Sequence, residues 1–232
     1  MWGLFGRKPK RLPRHIAVAG SGSKEYAQRA GLTFSQAYDL KFKNIKDYFT
    51  ACVELNIPTF TVHLLPLQFE DNPLFTHLVD SLITFINELK SSTLIVDNKV
   101  KVTVLGKWYD LPGRLVEPIK ELVHATQDND SFFLNLCINY DGQQEIVDAA
   151  NVLARQVQAG KRDPTSIDKN ALKENLASSY FVPPDLVVRM GSPTMTSVLL
   201  WDLPHAKMYL SPKSWQEFTK RDFEKAIEWW SF

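Results

Sequence analysis

The stretch HIAVAGSGSKEYA, residues 15–27, decides the fold class. It opens with an apolar, strand-like run of the kind found in parallel sheets that are buried on both faces. The small residues 20–23 follow, and then a polar stretch that suits a helix. A glycine corner of this sort lets backbone N–H groups approach an anion. Because it lacks both the third glycine of a dinucleotide fingerprint and the Gly-Lys-Ser/Thr of a P-loop, it indicates a ligand site outside those two classes.

Strand-like and helix-like stretches alternate along the rest of the chain. The predicted strands are residues 15–19, 58–64, 100–105, 132–138, 185–189 and 206–210. The predicted helices are residues 35–55, 74–89, 114–125, 143–158, 168–178 and 215–230. This order predicts a single α/β domain, a six-stranded and mainly parallel sheet flanked by helices. We place the domain at residues 15–232 and expect its ligand beyond the carboxyl ends of the strands, where the glycine corner lies.

The first 14 residues form a basic and aromatic N-terminal tail. Trp2, Leu4 and Phe5 precede five cationic side chains. Such an order suits a membrane surface, with aromatic rings at the headgroups and cations over anionic lipid. A solvated terminus is the other interpretation.

Charge and composition limit the function classes. The net charge is +1, from 27 basic and 26 acidic residues, so we expect no nucleic-acid partner. Cys52 and Cys137 lie in apolar contexts without zinc spacing, which predicts buried, reduced thiols and a cytoplasmic protein, free or peripheral at a membrane surface. We predict no metal site, because no metal-ligand spacing links the histidines at positions 15, 63, 77, 124 and 205.

The predicted helix 74–89 is apolar around most of its circumference. Leu78, Leu82 and Ile86 lie on its main stripe, and further apolar residues fill a second face. The stripe belongs either to the core or to the wall of a tunnel for a long hydrocarbon ligand.

Four stretches carry a family resemblance over almost the whole chain. They are CVELNIPTFTV (52–62), VKVTVLGKWYDLP (100–112), LNLCINYDGQQEIVDAANVLA (134–154) and PPDLVVRMGSPTMTSVLLWDLPHAKMYL (183–210). Together they resemble the cis-prenyltransferase family, the undecaprenyl and dehydrodolichyl diphosphate synthases. The resemblance implies an undecaprenyl diphosphate synthase-like fold, a tunnel for the growing prenyl chain, and dimers.

The glycine corner departs from the family pattern. In active members an Asp holds Mg²⁺ at the first strand end, and an Arg four residues later binds phosphate; here these positions are Ser21 and Glu25. Serine is a poor primary ligand for Mg²⁺. The resemblance therefore implies no catalytic residue and no metal in this chain. It leaves a diphosphate-binding remnant made of Gly20, Ser21, Gly22, Ser23, Lys24, Arg189 and Ser197.

Other family positions have changed as well. Two phosphate-binding arginines correspond to Gln143 and Met195, and the Glu that binds Mg²⁺ from the other subunit corresponds to Lys207. The loop Phe-Ser-x-Glu-Asn-Trp corresponds to residues 65–70, which end in Glu70. Because phosphoryl chemistry depends on such ions and cations, we expect no prenyl elongation by this chain alone.

The same losses characterise the accessory subunits of the Nogo-B-receptor type. The resemblance implies a non-catalytic subunit of a heteromeric cis-prenyltransferase that makes long-chain polyprenyl diphosphate for glycosyl carrier lipids. It implies a catalytic homologue as partner in a heterodimer or heterotetramer, a homodimer when the chain is alone, prenyl diphosphate lipids as ligands, and Mg²⁺ at the catalytic partner. Those subunits end in Arg-x-Gly, whereas this chain ends in EKAIEWWSF. The alternatives are a diverged enzyme that handles a prenyl diphosphate without the magnesium carboxylates, and a prenyl-lipid-binding protein.

An apolar segment near the end of the chain is the candidate interface. Family dimers form through later parts of the chain, which implies Trp201, Met208 and Tyr209 as contacts. Interface centres are more apolar than ordinary surface, as this segment is. The run 198–201 is equally compatible with a buried core strand.

Overall fold

All six predicted strands form one sheet. In the computed structural model, which describes residues 11–69 and 71–232, the sheet order is β3-β4-β2-β1-β5-β6 and every neighbouring pair is parallel. The expected mainly parallel sheet is thus wholly parallel. The strands are β1 (His15–Gly20), β2 (Thr59–Pro66), β3 (Val100–Leu105), β4 (Phe132–Tyr140), β5 (Leu186–Met190) and β6 (Lys207–Ser211). The predicted tail up to residue 10 and Glu70 of the loop lie outside the described residues.

The helices flank the sheet. They are α1 (Ser23–Ala30), α2 (Phe34–Glu54), α3 (Phe75–Lys90), α4 (Thr93–Val96), α5 (Gly113–Ala125), α6 (Gly142–Gln158), α7 (Lys169–Glu174) and α8 (Lys220–Trp230). The predicted helix 168–178 is shorter and ends at Glu174. The predicted helix 215–230 begins only at Lys220, because Thr219 and Asp222 form a capping box there. No helix of the described residues is long and apolar enough to span a membrane.

Two hydrophobic cores lie on opposite faces of the sheet. The larger one packs α2, α3, α5 and α8 against alternate residues such as Ile16 and Val18 of β1. The smaller one packs the segment 198–203 against Ala17 and Ala19. Both cysteines are buried and free, as predicted, and burial raises the pKa of each thiol.

The apolar stripe of α3 packs in the larger core. Leu82 and Ile86 are fully buried in that core, and their role as the wall of a tunnel for a hydrocarbon ligand stays a prediction. The space between α2 and α3 is filled by the stacked rings of Phe42 and Phe85, whose centroids are 4.8 Å apart. Leu78 belongs to the same core and also lines a pocket, at the amino-terminal end of α3.

The run 198–201 of the predicted interface is not a strand. Residues Leu200–His205 form a 3-10 helix that carries Trp201, and β6 follows at the edge of the sheet. Met208 packs on the smaller core, whereas Tyr209 packs on the other face against Phe218 and Trp229. Side chains alternate along a strand, so Met208 and Tyr209 lie on opposite faces of the sheet. Trp201 and Met208 share a side of the sheet, and Tyr209 does not.

Candidate functional site

A pocket of about 430 Å³ opens at the carboxyl ends of β1, β2 and β5. This is the edge at which parallel α/β sheets usually bind ligands. All seven residues of the predicted diphosphate-binding remnant line it, although they come from both ends of the chain. The other lining residues include Glu25, Tyr38, Lys41, His63, Leu64, Phe69, Leu74, Leu78, Met195, Thr196 and Trp215.

The glycine corner is held in a fixed shape between β1 and α1. Gly22 has a left-handed backbone with φ +91°, and no side chain caps the start of α1. The first N–H groups of that helix are therefore left without an intrahelical partner. Ser21 is tied back to β5, because its Oγ donates to the Gly191 carbonyl at 3.0 Å. Gly20 has no room for a side chain, since an added Cβ would lie 2.7 Å from the Trp215 ring.

Arg189 is a half-buried cation on β5. Its Nε donates to the Thr194 carbonyl at 3.1 Å, which fixes the guanidinium against the loop that follows the strand. Burial lowers the pKa of Arg189, but a guanidinium remains charged at any physiological pH. Arg189, one of the residues of the predicted diphosphate-binding remnant, is thus positioned at the pocket.

Lys41 is the second buried cation, and we did not predict it from the sequence. It lies on the buried face of α2, and its Nζ donates to the Leu64 carbonyl at 3.0 Å. The ammonium also lies 5.2 Å from the centre of the Trp215 ring. The available signal was a lysine on the apolar stripe of the predicted helix 35–55, three residues after Tyr38 and four before Ile45.

His63 completes the polar lining and was also missed as a site residue. Its Nε2 lies 3.2 Å from the Tyr140 carbonyl oxygen. Burial, with a smaller contribution from the positive charges of Lys41 and Arg189, lowers the pKa of His63 to about 4. His63 is therefore neutral at neutral pH, and the other ionisable side chains named at the pocket are the cationic Lys24, Lys41 and Arg189 and the exposed Glu25.

The donor set of this pocket does not fit Mg²⁺. Among residues 11–69 and 71–232, no group of three or more His, Cys, Asp or Glu side chains could hold a metal ion. Glu25 is the one described carboxylate that lines the pocket, and the buried Lys41 and the half-buried Arg189 line it as well. Mg²⁺ is usually held by one or two carboxylates together with phosphate oxygens, and Glu25 is the one described carboxylate that this lining offers.

A second cavity surrounds Trp201 on the other side of the sheet. This groove has a volume of about 550 Å³ and lies between α6, α7 and the 3-10 helix. It is lined by Ala150, Leu153, Ala154, Ile167, Asp168, Lys169, Leu172 and Trp201. We call this surface the Trp201 groove.

Known proteins resemble the chain over nearly its full length. The family model described as "Putative undecaprenyl diphosphate synthase" matches residues 20–232. A tritrans,polycis-undecaprenyl-diphosphate synthase (geranylgeranyl-diphosphate specific) of Thermoplasma volcanium is 32% identical, over 93% of this chain and 84% of that protein. An isoprenyl transferase of Prochlorococcus marinus is 30% identical, over 94% of this chain and 80% of that protein.

A solved structure has the same fold. The lavandulyl diphosphate synthase of Lavandula x intermedia, crystallised with dimethylallyl diphosphate, superposes with a TM-score of 0.87 at 24% identity, over 95% of each chain. The expected undecaprenyl diphosphate synthase-like fold is confirmed. With the match to residues 20–232, these similarities establish that the chain belongs to the cis-prenyltransferase family.

Proposed function

We propose that this chain is a non-catalytic subunit of a heteromeric cis-prenyltransferase, similar to the accessory subunits of the Nogo-B-receptor type. The observation that carries the proposal is Ser21 at the end of β1. Its hydroxyl is hydrogen-bonded to Gly191, and no described carboxylates gather around it to hold Mg²⁺. A serine at this position offers Mg²⁺ no carboxylate oxygen, which supports a chain that does not itself stabilise a departing diphosphate.

The proposed partner is a catalytic homologue that supplies the magnesium site. The Trp201 groove supports this part, because an apolar recess beside a half-buried tryptophan suits the centre of a protein interface. The proposed product is a long-chain polyprenyl diphosphate for glycosyl carrier lipids. The N-terminal Trp2, Leu4 and Phe5 with the following basic residues support peripheral contact of the complex with a membrane.

A second candidate function is a diverged enzyme that acts on a prenyl diphosphate. The open pocket favours it, since Arg189 and Lys41 face a cavity whose other end is formed by Leu74 and Leu78. Its volume of about 430 Å³ is at the lower end of the ~300–1,000 Å³ typical of small-molecule sites. The structural likeness to an enzyme crystallised with dimethylallyl diphosphate is compatible with a short prenyl ligand.

An elongation assay separates these candidates. We expect the purified chain to incorporate no isopentenyl diphosphate into farnesyl diphosphate with Mg²⁺, because no described carboxylate set holds the ion. Co-expression with an intact family member from the same genome should give a complex with higher turnover than that member alone. Both are measured with radiolabelled isopentenyl diphosphate.

The control is the same complex with the partner's first-strand aspartate replaced by alanine, which should be inactive. Turnover by the isolated chain would contradict the non-catalytic role and favour the diverged enzyme. Failure of every intact homologue to co-purify would contradict the subunit role.

The Trp201 groove gives a separate prediction about assembly. Trp201→Glu should convert the dimer to monomer, because it places an uncompensated charge in an interface that excludes water. Val96→Glu is the matched control: Val96 is exposed on α4 and lies outside the groove. Sedimentation velocity, with and without the homologue, measures both variants. An unchanged dimer for Trp201→Glu would place the interface elsewhere.

A further inference from the structure

Lys41 is buried where a helix normally carries an apolar residue. Its side chain is 5% exposed and lies on the same face of α2 as Tyr38, Phe42 and Ile45, which belong to the larger core. Removing an ammonium from water is costly unless an anion compensates the charge. This buried side chain lies at one edge of the pocket and lines the cavity.

The ammonium of Lys41 is only partly satisfied by the protein. It has three donor hydrogens, and the Leu64 carbonyl accepts one of them. The rings of Phe42 and Trp215, with centres 5.4 Å and 5.2 Å from Nζ, shield it from solvent on two sides. Within residues 11–69 and 71–232 no carboxylate forms an ion pair with it.

Other donors face the same cavity. Arg189 approaches from β5, and the positive charges of both Lys41 and Arg189 act on His63 between them. The uncapped start of α1 adds backbone N–H groups, and Ser23 adds a hydroxyl. Two cations, free amides and hydroxyls form a donor set that matches phosphate oxygens.

We infer that Lys41 takes the place of a divalent cation in this pocket: together with Arg189 and the glycine corner, it holds the phosphate head of a prenyl phosphate ligand without metal. The apolar chain of the ligand lies along Leu74 and Leu78, at the end of the pocket formed by α3. This inference goes beyond the proposed subunit role and does not depend on a partner.

Binding should therefore follow the protonation of Lys41. Burial lowers the pKa of Lys41 to about 7, so the free pocket loses this positive charge as the pH rises through 7. The other charged or titratable groups that line the pocket are Lys24, Glu25, Tyr38, His63 and Arg189. In this range His63, with a pKa of about 4, stays neutral, and so does Tyr38, with a pKa of about 12.

The test is calorimetric titration of the isolated full chain with farnesyl diphosphate, in EDTA and in Mg²⁺. We expect similar affinity in both buffers at pH 6.5 and weaker affinity at pH 8.5. Lys41→Met should weaken binding at least tenfold in EDTA. The matched control, Lys43→Met, changes an exposed lysine of the same helix that pairs with Asp47, and it should bind as the wild type does.

Further measurements separate a loss of binding from a loss of folding and identify the part of the ligand that is recognised. Thermal unfolding of the free variants should show Lys41→Met to be at least as stable as the wild type, and Lys41→Gln is the second variant if the first does not fold. Inorganic diphosphate should bind and farnesol should not. Binding that requires Mg²⁺, equal binding of farnesol, or unchanged binding by both Lys41 variants would overturn the inference. None of these outcomes depends on the elongation assay of the complex, so the two proposals can fail separately.

Discussion

Replacing Trp215 by alanine is expected to lower the free energy of unfolding by about 3–5 kcal/mol, as for large aromatic side chains in other cores. Trp215 is 2% exposed and belongs to the larger core. Its ring also fills the space that Gly20 leaves open and covers the ammonium of Lys41. The substitution therefore removes packing contacts from the core. It also removes the ring that forms the floor of the pocket. Denaturant unfolding followed by circular dichroism measures the loss.

Trp229→Ala is the control for this substitution. Trp229 is 45% exposed and has the Tyr209 ring as an aromatic neighbour, with centroids 5.5 Å apart. We expect its loss to cost less than about 1 kcal/mol, as for most surface positions. Equal losses for the two variants would show that Trp215 does not anchor the core.

The second large effect that we expect is a decrease in the free energy of unfolding in mild acid, caused by His15. This histidine is fully buried at the start of β1, between the Val182 carbonyl and the Thr61 hydroxyl. Burial lowers its pKa from 6.5 to about 4, although the Val182 hydrogen bond and Asp185 act in the opposite direction. The unfolded chain therefore takes up a proton near pH 6.5, while the folded chain does so only near pH 4.

This difference in proton uptake determines the direction in which stability changes with pH. Stability attributable to His15 is fully present above pH 6.5 and falls as the pH drops to about 4. A tenfold difference in proton affinity corresponds to about 1.4 kcal/mol, so His15 alone accounts for a loss of about 3 kcal/mol. His63, whose pKa is also about 4, acts in the same direction. Urea unfolding between pH 7.5 and 4 measures the slope.

His15→Gln separates this titration from general acid sensitivity. A glutamine amide keeps a donor and an acceptor at this position but does not titrate, so the slope between pH 6.5 and 4 should decrease. His77→Gln, at an exposed position of α3, should leave the slope unchanged. The same slope in the wild type and in His15→Gln would rule out His15 as its source.

The sheet could be predicted because each of its strands has a recognisable pattern in its own short stretch of sequence. Residues 15–19, 58–64 and 132–138 are short apolar or β-branched runs bounded by turn residues, which is what a doubly covered parallel strand requires. Helix ends were less predictable. The start of α8 depends on the reciprocal hydrogen bonds of Thr219 and Asp222, and an apolar pattern that begins earlier at Trp215 conceals it.

The site was predictable in part. A family resemblance placed the glycine corner and Arg189 together, and the structure brings them to one pocket. Lys41 and Trp215 were missed because their roles arise from contacts between distant segments, 174 residues apart in sequence for this pair. The α3 stripe could not be assigned from the sequence for a different reason. Helical periodicity shows that Leu82 and Ile86 face something apolar, but it cannot distinguish a neighbouring helix from a lipid.

The position of β1 in the sheet has a consequence for synthesis on the ribosome. This strand is made first but lies between β2 and β5, and its second neighbour begins only at Leu186. At about 5–20 residues per second, one edge of β1 stays unpaired for roughly ten seconds or longer during translation. An open, apolar strand edge invites pairing with another nascent chain. Chains that terminate before β5 therefore leave one edge of β1 unpaired, and in the full-length chain β5 closes that edge.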